Sequence, residues 1–192
     1  APLQRRQNNM STHRVFCAGF GGQGVMSMGQ LLAYAAMLAD KEVTWCPSYG
    51  PEMRGGEANC SVTISDEKIG SPLINNDASV AVFMNAAAYN KFIEKVMPGG
   101  KVFINSDLVK DENPRTDITY YSIPVNTIAT DLGKIQLANM VMLGAVNDQA
   151  SIVDMEMLLE AFKKVFGASK EKFIPINKEA LSKGAQAAAS MF

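Results

Sequence analysis

Histidine is almost absent from this 192-residue chain, and cysteine, tryptophan and net charge are all scarce. The one histidine, His13, falls in a polar N-terminal stretch, which argues against histidine-based general acid–base chemistry. The three cysteines, Cys17, Cys46 and Cys60, stand far apart with no Cys-x-x-Cys or Cys-x-His arrangement. Neither an iron–sulfur cluster nor a zinc site is encoded by that spacing, so no metal ligand is expected. They read instead as small buried hydrophobes of a protein kept in a reducing cytoplasm. Lys and Arg number 18 against 19 Asp and Glu, interspersed, for a net charge of −1. That balance leaves no electrostatic footprint for nucleic acid. No apolar run approaches the roughly 18 to 20 residues that span a bilayer, so no membrane association is expected. A Ser-His-Asp set and a paired acid site are missing too, and no catalytic residue is assigned.

What remains is a chain with 47% apolar residues, enough for one domain with a sizeable core. Residues 1–13 form a polar arm without periodicity, in which Met10 can be read as the native start and the residues before it as an added remnant. Residues 14–192 carry the fold. Val15 to Ala18 is apolar throughout and suits a central strand; Val25 to Ala39 has helical spacing; Val43 to Trp45 is a second short strand, its tryptophan in the core. Asn59 to Ile64 alternates, with Cys60, Val62 and Ile64 on one side, and Ile69 to Ile74 is expected to return beside it as a hairpin. Further strands are predicted at 79–85, 101–105 and 118–123. Helices are predicted at 86–96, stopped by Pro98-Gly99-Gly100; at 126–132, capped by Asn126; at 136–146; at 154–166; and in a last segment capped by Asn177. Alternation of strands and helices predicts a three-layer α/β/α sandwich on a mixed, mainly parallel sheet.

Two punctuated loops concentrate the chemistry. Gly19-Phe20-Gly21-Gly22-Gln23-Gly24 joins the first strand to the first helix, an arrangement that aims backbone N–H groups and a helix dipole at an anion. Gly19, Gly21 and Gly24 have the spacing of a dinucleotide fingerprint. That reading also needs an acid at the end of the second strand to hold a ribose, where this chain has Trp45-Cys46-Pro47. A purely structural role, permitting a tight turn, is the plain alternative. Ser48-Tyr49-Gly50-Pro51-Glu52-Met53-Arg54-Gly55-Gly56 is the second loop. Arg54 offers a guanidinium fork for a phosphate, or else pairs with Glu52 or Glu57 and only orders its loop. In a parallel sheet both loops, with Asn85 and Asn105, gather at the carboxyl edge where ligands bind. The twelve methionines read as core filling, and Leu143-Gly144-Ala145 is small enough to admit another helix or subunit.

These two loops, with Asn139-Met140-Val141-Met142-Leu143-Gly144-Ala145 further on, resemble the gamma subunit of the 2-oxoacid:ferredoxin oxidoreductases from about Val15 to Gly184. The Tyr-Gly-Pro-Glu-Met-Arg-Gly-Gly form looks most like the 2-oxoglutarate and branched-chain enzymes. The resemblance implies a multi-subunit enzyme that oxidatively decarboxylates a 2-oxoacid to acyl-CoA and CO2 and passes electrons to ferredoxin. It implies coenzyme A as a substrate, with thiamine diphosphate, Mg and iron–sulfur clusters in partner subunits and no cofactor held by this chain alone. Alpha, beta and delta subunits are the implied partners, and the isolated chain is expected to be inactive and to self-associate as a dimer. Carried over by position, Gly19, Gly21, Gly22, Gln23, Gly24, Tyr49, Arg54 and Gly55 are the expected binding residues. A stand-alone nucleotide-binding or regulatory domain, or an NAD-dependent enzyme, is the competing reading.

Overall fold

A continuous apolar run flanked by glycine is a strand that wants cover on both faces, and β1 (Thr12–Phe20) obtains it: Val15 to Ala18 are all buried. The computed structural model describes residues 12–51, 55–110 and 114–192. β1 lies inside a six-stranded sheet of order β2-β3-β1-β4-β5-β6, with β2 at Glu42–Tyr49, β3 at Glu57–Ser65, β4 at Ala78–Phe83, β5 at Val96–Asn105 and β6 at Thr119–Ile123. β1, β4, β5 and β6 pair in parallel, and β3 runs antiparallel between β1 and β2. Period-2 alternation divides the sheet's side chains between two cores. Val15, Cys17, Cys60, Val62 and Ile64 face one side, and Phe16, Ala18, Ala81 and Phe83 face the other.

The first core is covered by α1 (Val25–Leu38), α3 (Val125–Asp131), α4 (Ala138–Ala150), α5 (Met155–Phe166) and α6 (Ile174–Ala189). The second is covered by α2 (Ala86–Phe92) and by loop residues such as Ile74 and Val109. The fold is therefore the predicted three-layer α/β/α sandwich with a mixed, mainly parallel sheet. Met28, Met84, Met140 and Met142 fill the core as expected, while Met37 is exposed.

Several elements differ from the expectation, each for a local reason. The mixed character does not come from a 58–74 hairpin: Ile69–Ile74 is not a strand, and β3 pairs with β1 and β2 instead. Gly70 and Pro72 break that segment, which is held by side chains. Arg14 hydrogen-bonds the carbonyls of Ser71 and Leu73 and ion-pairs with Asp77 at 2.9 Å, and Lys95 donates to the Ile74 carbonyl at 2.9 Å. Pro98-Gly99-Gly100 does not end a helix but forms an irregularity inside β5; the register with β4 jumps between Ala78↔Val96 and Val80↔Lys101, and Gly99 takes φ +80. α2 has already ended at Phe92. Asn126 does not cap α3. Asp107 does so from outside, accepting from the Thr127 backbone N–H and hydroxyl at 2.8 Å each. Asn177 is buried inside α6, where its amide donates to the Phe173 carbonyl at 2.7 Å. Trp45 is half-buried on the edge strand β2 and packs against the first core. His13 belongs to β1.

Candidate functional site

α1 leaves the sheet on one face and α2 on the other, although β1 and β4 are parallel neighbours. Their carboxyl ends therefore bound a crevice at a topological switch point, where ligands bind in open α/β sheets. Gln23 ties the two sides of that crevice together. Its Oε1 accepts from the Phe20 backbone N–H at 2.8 Å and from Asn85 Nδ2 at 2.9 Å, and its Nε2 donates to the Met84 carbonyl at 3.2 Å. Asn85 in turn caps α2, its Oδ1 accepting from the Ala88 N–H at 2.9 Å. Asn105, at the end of β5, donates to the same Met84 carbonyl and to Asn126 Oδ1, both at 3.2 Å. A chain of side-chain amides thus runs along the carboxyl edge under the glycine loop.

The loop glycines do different things. Gly24 takes φ +77 and a Cβ there would lie 2.4 Å from Asn139 Nδ2, so neither its conformation nor its space admits a side chain. Gly19 is crowded as well, its missing Cβ leaving room for Gln23 Oε1 and Val25 at 2.8 Å. Gly21 is open, the nearest atom being the Gly56 carbonyl oxygen at 3.8 Å, and its N–H donates to that oxygen at 2.9 Å. This bond docks the first loop on the second. Gly22 (φ +95) and Gly55 (φ +69) have open space around them. Tyr49 closes β2 with 69% of its surface exposed. Arg54 and Glu52 lie outside the described residues; Glu57, the other carboxylate offered to Arg54, is engaged by Lys91 and by Asn59 Nδ2.

Three clefts open around Gly24. One of about 340 Å3 is bounded by Phe20, the glycine loop, Tyr49 and Ala58. The second, about 330 Å3, is amide-lined, with Gln23, Asn126, Gln136 and Asn139 around it. The third and largest, about 610 Å3, lies beside the first turn of α1 and is walled by Met140, Phe162, Phe166 and Phe173, with Lys134 and Lys170 at its margin. Among the described residues no carboxylate, histidine or cysteine lines any of the three, and no acid occupies the first turn of α1. The charge presented is positive: two lysines and a helix N-terminus. No group of three His, Cys, Asp or Glu residues is placed to hold a metal among the described residues. Such an arrangement suits an anionic, partly aromatic molecule; among the described residues it offers nothing that removes a proton at neutral pH.

The sequence-predicted residues Gly19, Gly21, Gly22, Gln23, Gly24, Tyr49 and Gly55 are brought together at one edge. The amide residues Asn126, Gln136 and Asn139, and both lysines, were not read from the sequence as site residues. A dinucleotide arrangement is not formed. β3 separates β1 from β2, so the end of β2 is displaced by one strand from where a ribose-holding acid would have to stand.

A family model described as pyruvate ferredoxin/flavodoxin oxidoreductase matches residues 14–187. The ketoisovalerate oxidoreductase subunit VorA of Methanothermobacter thermautotrophicus is 39% identical over 174 residues, which cover 90% of this chain and 36% of that relative. This chain thus spans about a third of that protein's length. The 2-oxoglutarate synthase subunit KorC of Methanocaldococcus jannaschii is 41% identical over 147 residues, covering 75% of this chain and 78% of the relative. Among solved structures, the 2-oxoglutarate:ferredoxin oxidoreductase of Magnetococcus marinus, with 2-oxoglutarate, coenzyme A and succinyl-CoA bound, superposes with a TM-score of 0.85 at 28% identity, over 94% of this chain and 32% of that one. The gamma subunit of the keto/oxoacid ferredoxin oxidoreductase of Geobacter sulfurreducens does so with a TM-score of 0.78 at 28% identity, over 93% of this chain and 99% of that one.

Proposed function

This chain belongs to the pyruvate ferredoxin/flavodoxin oxidoreductase family, and from that premise we propose that it is the gamma subunit of a 2-oxoacid:ferredoxin oxidoreductase of the 2-oxoglutarate or branched-chain type. Its contribution is assembly and the reception of coenzyme A. The complex oxidatively decarboxylates the 2-oxoacid to acyl-CoA and CO2 and delivers the electrons to ferredoxin. Thiamine diphosphate, Mg and the iron–sulfur clusters reside in alpha, beta and delta partners, and the assembly works in the cytoplasm. The observation that carries this reading is the carboxyl edge itself: a glycine loop at the N-terminus of α1, an exposed tyrosine and two lysines, with no carboxylate or histidine in the walls among the described residues. Those groups bind phosphates and a ring and leave the chemistry to another polypeptide. Among the described residues no helix is long and apolar enough to cross a membrane.

The test is kinetic, in the assembled complex purified with its partner subunits and offered 2-oxoglutarate, 3-methyl-2-oxobutanoate and pyruvate in turn. Tyr49→Ala and Arg54→Ala are expected to raise the KM for coenzyme A, the arginine variant by roughly 10- to 150-fold if a charge-assisted bond to phosphate is lost. The KM for the 2-oxoacid should barely move. Unchanged coenzyme A dependence in both variants would remove this chain from the coenzyme A site.

A further inference from the structure

Lys134 and Lys170 come from separate parts of the chain. The first precedes the 3-10 turn Ile135–Leu137 and the second lies in the 3-10 segment Ala168–Phe173 between α5 and α6. Both ammonium groups are nevertheless carried to the same ring, 4.8 and 5.6 Å from the centroid of Phe173, with Lys172 at 5.2 Å. Cation–π contact at an exposed site is weak, so the convergence of three like charges on one ring is a local excess of positive charge. Lys41, Lys91, Lys163 and Lys178 each have a carboxylate partner; among the described residues these three have none. Lys134 and Lys170 line the 610 Å3 bay, within the usual size of a small-molecule site, together with Gly24 and Ser27 at the start of α1. Met140, Phe162 and Phe166 add apolar walls to the same bay.

Two anion-seeking groups and an apolar surface in one bay suit a ligand that carries two phosphate groups on a nucleoside. A pyrophosphate suits the loop and helix N-terminus, where backbone N–H groups converge. A phosphate monoester needs cations of its own, which Lys134 and Lys170 supply in the described lining of the bay. We propose that Lys134 and Lys170 are specificity-determining residues that receive the 3′-phosphate of coenzyme A, with the adenine against the phenylalanine walls of the bay. This rests on the coenzyme A reading above and goes beyond it, because it makes this chain the part of the complex that distinguishes coenzyme A from its 3′-dephospho form.

The experiment compares KM for coenzyme A and for 3′-dephospho-coenzyme A in the assembled complex, for wild type, Tyr49→Ala, Lys134→Gln/Lys170→Gln and Lys134→Arg/Lys170→Arg. Wild type should favour coenzyme A by about tenfold or more, the loss expected when charge-assisted contacts to one phosphate are absent. The double glutamine variant should bring the ratio close to one by raising KM for coenzyme A, and the double arginine variant should keep the preference. Both lysines are exposed, so folding should survive; a thermal melt and gel filtration verify assembly. A wild-type ratio near one, or a preference that persists in the double glutamine variant, overturns the assignment. Tyr49→Ala separates the two levels. If it weakens both ligands while the lysine variants leave the ratio alone, only the lysine assignment fails. If no variant moves either KM, the coenzyme A reading fails with it.

Discussion

Gly144 of α4 and Gly184 of α6 mark a place where two helices touch backbone to backbone. A Cβ on Gly144 would lie 2.0 Å from the Leu181 carbonyl oxygen, and one on Gly184 would lie 1.7 Å from the Val141 carbonyl oxygen. Neither neighbour is a flexible side chain, so relief requires the helices to part. Gly144→Ala and Gly184→Ala should each destabilise the protein by about 1–3 kcal/mol or more, despite the gain in helix propensity that alanine normally brings. For a chain of this size that corresponds to a fall in Tm of roughly 2–4 °C per kcal/mol. Thermal melts of the two variants check it; a Tm equal to or above wild type would show that the crossing can spread at no cost.

That contact illustrates what was legible in the sequence. Leu143-Gly144-Ala145 announced a close approach, but not that the approaching surface would be α6, because pairing over forty residues leaves no local trace. The glycine loop was legible for the opposite reason: Gly19, Gly21 and Gly24 act on their own turn, and their position after a buried strand fixes the edge at which they lie. β3 was readable as a strand from Cys60, Val62 and Ile64, yet its insertion between β1 and β2 is a long-range choice. Pro98-Gly99-Gly100 and Asn177 carry strong local preferences for stopping and capping helices, and tertiary pairing overrode both. Lys134 and Lys170 are unremarkable loop lysines until the fold brings them to one ring.

Cys17 and Cys60 are register partners on β1 and β3 and both are fully buried. The neighbouring Cys60 sulfur and burial together hold the Cys17 thiol well above its ordinary pKa; Cys60 lies 3.6 Å from the Val25 carbonyl oxygen. Cys46 is half-buried on the edge strand β2. In the native protein, 5,5′-dithiobis(2-nitrobenzoate) should therefore modify one thiol quickly and the other two only at the rate of structural opening. Three should react in denaturant. Fast release of more than one equivalent from folded protein would contradict the packing described for β1 and β3.

His13 gives the chain a pH dependence of defined sign. Burial, then the charges of Lys101 and Lys41, lower its pKa below the ordinary 6.5, with Asp66 opposing. The folded state thus binds the proton less readily than the unfolded chain does. The stability contribution is complete above pH 6.5 and is lost as the pH falls through the depressed folded value. Urea denaturation at pH 7.5 and pH 5.5 should show a drop that is smaller in His13→Gln. Equal slopes for the two proteins would mean that other groups control the acid limb.

Gln23 offers the sharpest separation between holding the loop and binding an anion on it. Its side chain accepts twice, from Phe20 and Asn85, and donates once, to Met84. Gln23→Ala removes all three bonds and takes the acceptor from the Phe20 N–H and from Asn85 Nδ2, while the Met84 carbonyl keeps Asn105, at about 1–3 kcal/mol of stability. Gln23→Glu keeps both acceptor contacts, loses the single donor, and places a negative charge beneath the start of α1. Its stability should fall by only about 1 kcal/mol, the usual net value of one hydrogen bond. Its effect on coenzyme A should be larger, because a carboxylate at a helix N-terminus occupies the field that a phosphate would use. In the assembled complex the glutamate variant should raise the KM for coenzyme A by about tenfold, and Gln23→Met, which lacks the hydrogen bonds but carries no charge, should raise it less. Raising the salt concentration should narrow the gap between them, since screening acts on the charge alone. If the glutamate and methionine variants bind coenzyme A equally well, no phosphate approaches this loop, and Gln23 serves only to join β1 to β4.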